Sequence, residues 1–182
     1  MNKVLLAVAT GLIGAAVLHI IIILSVPHFT GRDAYTRVQA EGEANDFHPL
    51  SADIDEAGLS NMDPFLRTAV CHFDTTSAPV RLLAQNGRTF WSVAIFDADA
   101  NEVFSMNDRT SVDGVLDVLI ASPQQVARIR RAPPDVLSQS IIVEMPARNG
   151  YAVLRIMVPQ PSFEEGAKAF LSEAACAQFA GL

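Results

Sequence analysis

The most constraining feature of this sequence is an apolar run over residues 4–26, in which His19 is the only ionisable side chain. A helix that rises about 1.5 Å per residue extends over about 34 Å along this run, enough to cross the hydrocarbon core of a bilayer. A cleaved signal peptide is the alternative, but its apolar part usually has about 7–15 residues and precedes a small-residue cleavage site. This run is longer, and residues 25–29 contain no such site. We therefore expect residues 1–27 to form a cytoplasmic tip and an uncleaved transmembrane signal-anchor.

The charges that flank the run favour one orientation. Lys3 lies before it, whereas Arg32 and Arg37 lie after it and are partly offset by Asp33. So short a lead is easily retained in the cytoplasm, as in most signal-anchors. We expect a single-pass protein of the bacterial inner membrane whose amino terminus is cytoplasmic and whose carboxyl-terminal domain is periplasmic.

Small residues follow one side of the predicted membrane helix. Residues Ala7, Gly11, Ala15 and His19 recur every four positions, and Gly14 lies beside them. Small residues allow helices to approach closely, and an imidazole in hydrocarbon is costly unless it faces a partner or a polar cavity. The pattern predicts an interface with a helix of another membrane protein. The alternative is that His19 reaches the membrane surface and that Gly and Ala are merely common in such helices.

The rest of the chain is acidic. Beyond Pro27 there are 12 basic residues against 20 acidic ones, a net charge of −8. Nucleic acid and anionic lipid are bound through clustered Lys and Arg, so this balance disfavours both as partners of the domain and leaves membrane lipid in contact with the anchor alone. The one basic cluster, Arg128, Arg130 and Arg131, is expected at a solvated helix end.

The acidic part divides into a connector, residues 28–62, and a domain, residues 63–182. The connector carries a possible short helix over 33–40 and is expected to pack loosely on the domain, which opens at Asp63-Pro64 because proline favours a turn. Short segments bounded by turn residues predict strands over residues 66–73, 80–84, 89–96, 102–106, 115–120, 141–145 and 151–158. Helices are predicted over 123–131 and 162–175. The fold class expected is mainly β (α+β), an antiparallel β-sandwich.

The last predicted helix has a clear amino-terminal signal. Ser162 is expected to cap it, and Glu164 and Glu165 fall in its first turn, where the helix dipole favours negative charge. An apolar stripe should pack on the sheet, formed by Phe163, Ala167, Phe170, Leu171 and Ala174.

Asn149-Gly150 is a strong hairpin signal. A type I′ turn at these residues would pair Glu144 with Arg155 across two strands, as a structural ion pair worth about 0.2–1 kcal/mol. Pro146 argues against this register because it lacks a backbone donor.

The chain has two cysteines, Cys71 and Cys176. An exported location permits a disulfide between them, and a closed loop of this size could stabilise the fold by up to about 4.7 kcal/mol. The bond would hold the last helix on the sheet, provided that the helix ends before Cys176. There is no Cys-x-x-Cys motif, and His48 or His72 would complete no convincing zinc site, so no metal is expected.

No catalytic motif or phosphate-binding loop is found, and the chain is interpreted as a non-enzyme without a cofactor. Two polar clusters flank one predicted strand, namely Asp97, Asp99 and Asn101, then Asn107, Asp108 and Arg109. Paired carboxylates there could perform acid–base chemistry or bind calcium, but Asp and Asn more often cap the backbone of turns.

A series of short motifs in a fixed order resembles a known group of proteins. The motifs are Gly11-x-x-x-Ala15-x-x-x-His19-Ile20, Asp63-Pro64, Ala69-Val70-Cys71, Trp91-Ser92-Val93, Asn107-Asp108-Arg109, Val153-Leu154-Arg155, Val158-Pro159 and the late Cys176. With them the chain resembles small membrane-anchored alphaproteobacterial proteins related to the paired domain-of-unknown-function families 1214 and 1254. The resemblance implies a jelly-roll-like sandwich, one anchor, a periplasmic domain and two cysteines at these positions, and it implies no catalytic residue.

Two functions are consistent with these features. The first is a membrane-anchored accessory protein that binds an envelope-assembly complex, such as a peptidoglycan synthase, or a paired paralogue, through its helix and its sandwich. The alternative is a periplasmic module that binds a small ligand or carbohydrate between its sheets, near Trp91, or in the loops from Asp97 to Arg109.

Overall fold

The apolar run forms one long helix, α1 (Asn2–Phe29), in the computed structural model, which describes residues 2–29, 33–85 and 87–181. Within α1, Asn2–Val26 is long and apolar enough to cross a membrane. The predicted amino-terminal apolar helix is therefore confirmed. Arg32, one of the charges that follow the apolar run, lies outside the described residues.

A second, compact unit begins at Ala34 and contains all the other elements. Its helices are α2 (Ala34–Ala40), α3 (Pro123–Arg131) and α4 (Glu164–Glu173). Its strands are β1 (His48–Pro49), β2 (Leu66–Asp74), β3 (Val80–Ala84), β4 (Trp91–Asp97), β5 (Glu102–Asn107), β6 (Leu116–Ala121), β7 (Ile141–Glu144), β8 (Asn149–Met157) and β9 (Ala175–Gln178). Each predicted strand is present within two residues of its expected bounds, and α3 coincides with its prediction.

The strands form two sheets that enclose one apolar core. The first sheet has the order β1-β2-β8-β4-β5 and the second the order β7-β6-β3-β9. Side chains of both sheets fill the space between them, among them the fully buried Phe73, Leu82, Trp91, Ile95, Leu116, Ile120 and Leu154. The mainly β, α+β class is confirmed.

One strand pair departs from the expected antiparallel arrangement, because β6 and β7 run parallel. The chain between them contains α3, which packs with Val126 and Ile129 on the outer face of β6. A helical crossover of this kind is what a parallel pair requires. Ser122 caps α3 by accepting from the amide of Gln125, whose side chain accepts from the amide of Ser122 in return.

The predicted hairpin at Asn149-Gly150 is wrong, and so is the ion pair of Glu144 with Arg155. Strands β7 and β8 belong to different sheets, and Arg155 lies opposite Thr68 on one side and Ser92 on the other. Both turn residues lie inside β8. Glycine is needed at position 150 because a Cβ there would meet the backbone oxygen of Phe96.

The carboxyl-terminal helix is present, but it begins differently from the prediction. Ser162 lies in a 3₁₀ turn, Pro161–Phe163, and α4 starts at Glu164 without a side-chain cap. Glu164 and Glu165 occupy the first turn, as expected. The predicted stripe faces the core, where Ala167, Phe170, Leu171 and Ala174 are buried and Phe163 packs beside them.

The residues predicted as a loose connector belong to the compact unit from Ala34 onward. Val38 of α2 packs on the outer face of the first sheet, and Phe47 enters the core between the sheets. Backbone pairing adds to this, since His48 and Pro49 lie opposite Val70 and Ala69 of β2. Apolar burial and an added edge strand thus integrate a segment whose composition is acidic.

A disulfide joins Cys71 of β2 to Cys176 of β9, as predicted, with the Cα atoms 6.6 Å apart. The two strands belong to opposite sheets, so the bond crosses the core. Helix α4 ends before Cys176, which allows the last residues to pair with β3 as β9. The prediction was that the bond would hold the last helix on the sheet. In the structure it also links the two sheets to each other.

Replacing Cys71 and Cys176 by alanine is expected to lower the free energy of unfolding by about 2–4 kcal/mol, because the unfolded chain regains a loop of about 100 residues. Denaturant titration of the full chain in detergent, followed through the fluorescence of Trp91, would measure the loss. A reducing agent should reproduce it in the wild-type protein and have no effect on the double variant. Equal stability with and without the bond would contradict this prediction.

Candidate functional site

The predicted membrane interface lies on α1 with its side chains exposed. Ala7, Gly11, Gly14, Ala15 and His19 are all accessible, and a Cβ added at either glycine would meet no atom within 4 Å. The structure thus places them on the exposed surface of one helix.

The two polar side chains of this helix differ in their partners. The hydroxyl of Thr10 donates to the carbonyl of Leu6 at 2.9 Å and is satisfied within α1. No described residue hydrogen-bonds the imidazole of His19. An imidazole at the membrane surface can be hydrated, whereas one in hydrocarbon is costly unless it faces a partner or a polar cavity.

Trp91 does not line a ligand cavity. Its side chain is fully buried, packs against Phe170 with ring centroids 6.2 Å apart, and donates from Nε1 to the carbonyl of Gly114 at 3.2 Å. Core side chains fill the space between the sheets at this point. Trp91 therefore does not line the ligand site that was considered there.

The two polar clusters stabilise turns at opposite ends of β5. Asp97 accepts hydrogen bonds from the amides of Asp99 and Asn101, and the side-chain amide of Asn101, as the main cause, lowers the pKa of Asp97. Asn107 accepts from the amides of Arg109 and Thr110. These residues cap backbone groups, and the described residues include no group of three or more His, Cys, Asp or Glu that could hold a metal ion.

A groove lies on the outside of the sandwich, between segment 49–68 and α4. Its volume is about 560 Å³, within the range of small-molecule sites. Its surface is mostly apolar, and its lining combines apolar with polar residues, namely Pro49, Leu50, Ala52, Pro64 and Leu171 with Asn61, Asp63, Arg67, Thr68, Glu164, Lys168 and Ser172. We call it the α4 groove.

An ion pair forms one wall of the α4 groove. Arg67 of β2 donates from Nε and Nη2 to the two carboxylate oxygens of Glu164 at 2.9 and 2.7 Å. Both side chains are about three-quarters buried, and the hydrogen bonds from Arg67 are the main cause of the lowered pKa of Glu164. Nη1 of Arg67 also donates to the carbonyls of Leu66 and Pro64. All three guanidinium nitrogens of Arg67 thus donate hydrogen bonds within the protein.

The α4 groove continues beyond this ion pair. A second depression shares Pro64, Arg67 and Glu164 with it and extends to Phe65 and to residues 158–161. Phe65 is 61 % exposed, and Met62 just before it is 79 % exposed. Phe65 is thus an exposed apolar side chain that lines the second depression.

An acid pair holds the loop that forms the other wall of the groove. Glu41, after α2, hydrogen-bonds Asp55, and Arg37 of α2 donates to the carbonyl of Gly58 at 3.2 Å. Burial, together with the hydrogen bond and charge of Asp55, raises the pKa of Glu41 to about 7, against the opposing charge of His48.

The carboxylates of this pair have unequal surroundings. Oε1 of Glu41 is buried and accepts no hydrogen bond from the described residues, so a charge on it is poorly solvated. Burial acts to raise the pKa of Asp55 as well, but hydrogen bonds from Glu41 and from the amides of residues 57–59 lower it overall. The proton of the pair therefore resides on Glu41 below about pH 7.

Sequence reasoning missed both the groove and the acid pair. Arg67 and Glu164 are 97 residues apart in the chain, and no motif connects them. Glu41 and Asp55 lie in a segment rich in acids, and nothing in the sequence distinguishes them from the others. The available signal was the presence of large apolar side chains in an acidic segment, namely Leu50, Ile54, Leu59, Met62 and Phe65.

Comparisons with known proteins identify the fold alone. No known protein family matches the chain, and no curated protein does. The crystal structure of the VPA0106 protein from Vibrio parahaemolyticus is similar over 79 % of this chain and 32 % of its own, with a TM-score of 0.59 and 13 % identity. An uncharacterized protein from Burkholderia cenocepacia matches 70 % of this chain and 37 % of its own, with a TM-score of 0.41 and 10 % identity. The chain spans about a third of the length of each structure.

Replacing Glu41 by glutamine should flatten the pH dependence of stability. In the wild type the raised pKa makes a contribution that is fully present below about pH 4.5 and is lost as the pH rises through about 7. Glutamine keeps a donor toward Asp55 but does not titrate. The free energy of unfolding of the wild type, relative to Glu41→Gln, is therefore expected to fall between these pH values and to stay constant above them.

Glu43→Gln is the matched control, because Glu43 is exposed and two residues away. Denaturant titrations at several pH values, read from Trp91 fluorescence, would compare the three proteins. Parallel curves for the wild type and Glu41→Gln would show that Glu41 is an ordinary surface acid.

Proposed function

We propose that this protein is a non-enzymatic, membrane-anchored accessory protein of the bacterial cell envelope. Helix α1 spans the inner membrane with a cytoplasmic amino terminus, and the unit from Ala34 onward is periplasmic. The protein binds and stabilises or regulates another membrane protein, either an envelope-assembly enzyme such as a peptidoglycan synthase or a paired paralogue. Kinship with the paired families 1214 and 1254 is part of this proposal.

The observation that carries the proposal is the surface of α1. Ala7, Gly11, Gly14 and Ala15 place small side chains along one side of the helix, and His19 continues that side with an imidazole that has no hydrogen-bond partner among the described residues. A simple tether needs neither property, since leucine or valine would serve it equally well. Close helix packing and a polar contact in the membrane account for both.

The compact unit supports a binding role better than a catalytic one. Its interior is filled by apolar side chains, and the acidic and amide clusters that sequence offers for chemistry cap the turns after Asp97 and Asn107. A periplasmic location agrees with the disulfide of Cys71 and Cys176, because such bonds persist in oxidising compartments.

Substitutions on the two sides of α1 should have different effects on partner binding. A photoreactive residue at Ala15 is expected to crosslink a second membrane protein in native membranes, whereas the same residue at Ala16, on the other side of the helix, should capture mainly lipid. Gly11→Leu with His19→Leu should abolish the crosslink from position 15. Ala9→Leu is the control, because it adds the same bulk to the other side. Equal crosslinking from positions 15 and 16 would count against the interface.

Reporter fusions test the proposed topology. Alkaline phosphatase joined to the carboxyl end should be active in intact cells, and β-galactosidase at the same place should be inactive. Blocking free thiols before denaturation should find Cys71 and Cys176 oxidised in the same cells. Activity of the cytoplasmic reporter alone would reverse the orientation and remove the periplasmic assignment.

A further inference from the structure

The loop of residues 51–61, which we call the strap, is ordered by its own hydrogen bonds. The amide of Asn61 donates to the carbonyl of Ser51 at 2.7 Å, so the two ends of the strap lie side by side. Within it, the carboxylate of Asp55 accepts from the amide of Leu59 at 3.1 Å, and the amide of Asp55 donates to the carbonyl of Leu59 at 3.2 Å. Closed ends and local bonds of this kind are typical of an Ω-loop.

The strap adds little to the interior of the compact unit. The structure describes all of its residues, and Ala57 alone among them is buried. None of these described residues belongs to the core between the sheets, although Leu59 packs against the apolar cluster that contains Val38 and Tyr151. So few apolar contacts do not offset the entropy of ordering a loop, and such a segment opens at a lower free energy than the whole fold. The strap therefore stays closed only while other contacts hold it.

Polar contacts attach the strap to the region of α2. Arg37 donates from Nη1 to the carbonyl of Gly58 at 3.2 Å, and the carboxyl group of Glu41 hydrogen-bonds that of Asp55. An ionised carboxyl group only accepts hydrogen bonds, so this second contact requires a proton on one of the two acids. Without that proton two like charges would be in contact. The contact between Glu41 and Asp55 therefore exists only in a protonated form.

Glu41 is poorly placed to carry a charge while the strap is closed. Its Oε1 is buried and accepts no hydrogen bond from the described residues, so ionisation there is costly. Release of the strap would admit water to this oxygen and would also separate Glu41 from Asp55. The same movement therefore relieves both the loss of solvation and the repulsion between the two acids.

Imidazoles from two strands also face this site. The charge of His48 of β1 opposes the rise in the pKa of Glu41 that burial causes, and the His48 ring lies against Gly42, where a Cβ would meet it. The ring of His72 of β2 donates to the carbonyl of Gly42 at 3.1 Å. Neither imidazole hydrogen-bonds Oε1 of Glu41. The other charged residues of the strap are the exposed Asp53 and Glu56.

We propose that the strap is a pH-sensitive closure, which rests on α2 while the pair of Glu41 and Asp55 holds its proton and opens when that proton is lost. The pKa of Glu41, raised mainly by burial to about 7 in the closed strap, returns to its ordinary value of 4.5 in the open one. The contribution of the proton to closure is therefore fully present below about pH 4.5 and is lost as the pH rises to about 7. Opening uncovers the part of the first sheet on which Leu59 packs. The device is independent of the helix interface on α1.

Hydrogen exchange of the full chain in detergent, resolved to single amides, measures the opening. The amides of Gly58 and Leu59 are both bonded to Asp55, and their exchange rates, divided by the intrinsic rates at each pH, give the opening constant of the strap. Because opening releases one proton, we expect this constant to rise about tenfold per pH unit between pH 5 and pH 6.5 and to level off above about pH 7. Exchange of these amides as slow as that of Leu154 in β8 would mean that they open only with the whole fold, and would overturn the proposal.

Variants assign the proton to Glu41. Glu41→Gln keeps a donor toward Asp55 and should make the opening constant independent of pH, whereas Glu43→Gln changes an exposed acid two residues away and should keep the wild-type slope. Imidazoles titrate in the same range, so His48→Gln combined with His72→Gln should keep the slope as well. Circular dichroism checks that each variant folds. A slope that survives Glu41→Gln, or one that disappears with the imidazoles, would overturn the proposal.

The titration of Glu41 is also measured directly in the wild-type protein. The ¹³C chemical shift of its side-chain carboxyl should change with a midpoint near pH 7, because burial raises its pKa to about 7. This measurement needs no substitution and therefore decides the matter even where a variant fails to fold. A midpoint at the ordinary value of 4.5 would overturn the proposal.

Discussion

The position of β8 between β2 and β4 is the constraint on which the compact unit depends. Residues 150–156 of this strand pair with both β2 and β4, and its first and last residues pair with β2. Both faces of the strand are covered. Ala152, Leu154 and Ile156 point into the core between the sheets, while Tyr151 and Val153 pack with Val38 of α2 on the outside. Tyr151 also stacks on Phe96 with ring centroids 5.0 Å apart. A strand buried on both faces can tolerate few polar residues, which explains its apolar composition.

A filled interior moves any binding surface to the outside of the sandwich. The turns that carry Asp97 and Asn107 are occupied by their own hydrogen bonds, and Trp91 is sealed by Phe170 and Gly114. What remains are surfaces built on top of the sheets by the segments that flank them, namely the loop before β2 and helix α4. Two surface depressions of the compact unit therefore lie where these segments meet the sheets.

The sequence predicted the strands well because alternation and turn residues act locally, but it predicted their partners poorly. Asn149-Gly150 has the composition of a turn, yet burial of β8 and the close approach of Gly150 to Phe96 outweigh it. The parallel pairing of β6 and β7 could have been inferred from the helix predicted between them. β9 carried no signal, since Ala175–Gln178 lacks β-branched residues and becomes a strand only by pairing with β3. The groove and the acid pair join residues distant in the chain, which no local pattern reveals.

The disulfide has a consequence for biogenesis in the proposed periplasmic setting. Cys71 lies in β2 and Cys176 in the last strand of the second sheet, so the bond can close only after every intervening element has crossed the membrane. With two cysteines in the chain there is a single possible intramolecular pairing, and no mispaired isomer has to be reshuffled. A single oxidation step therefore converts a completely translocated chain into the locked form, and a prematurely ended chain lacks the second thiol and stays open to proteolysis.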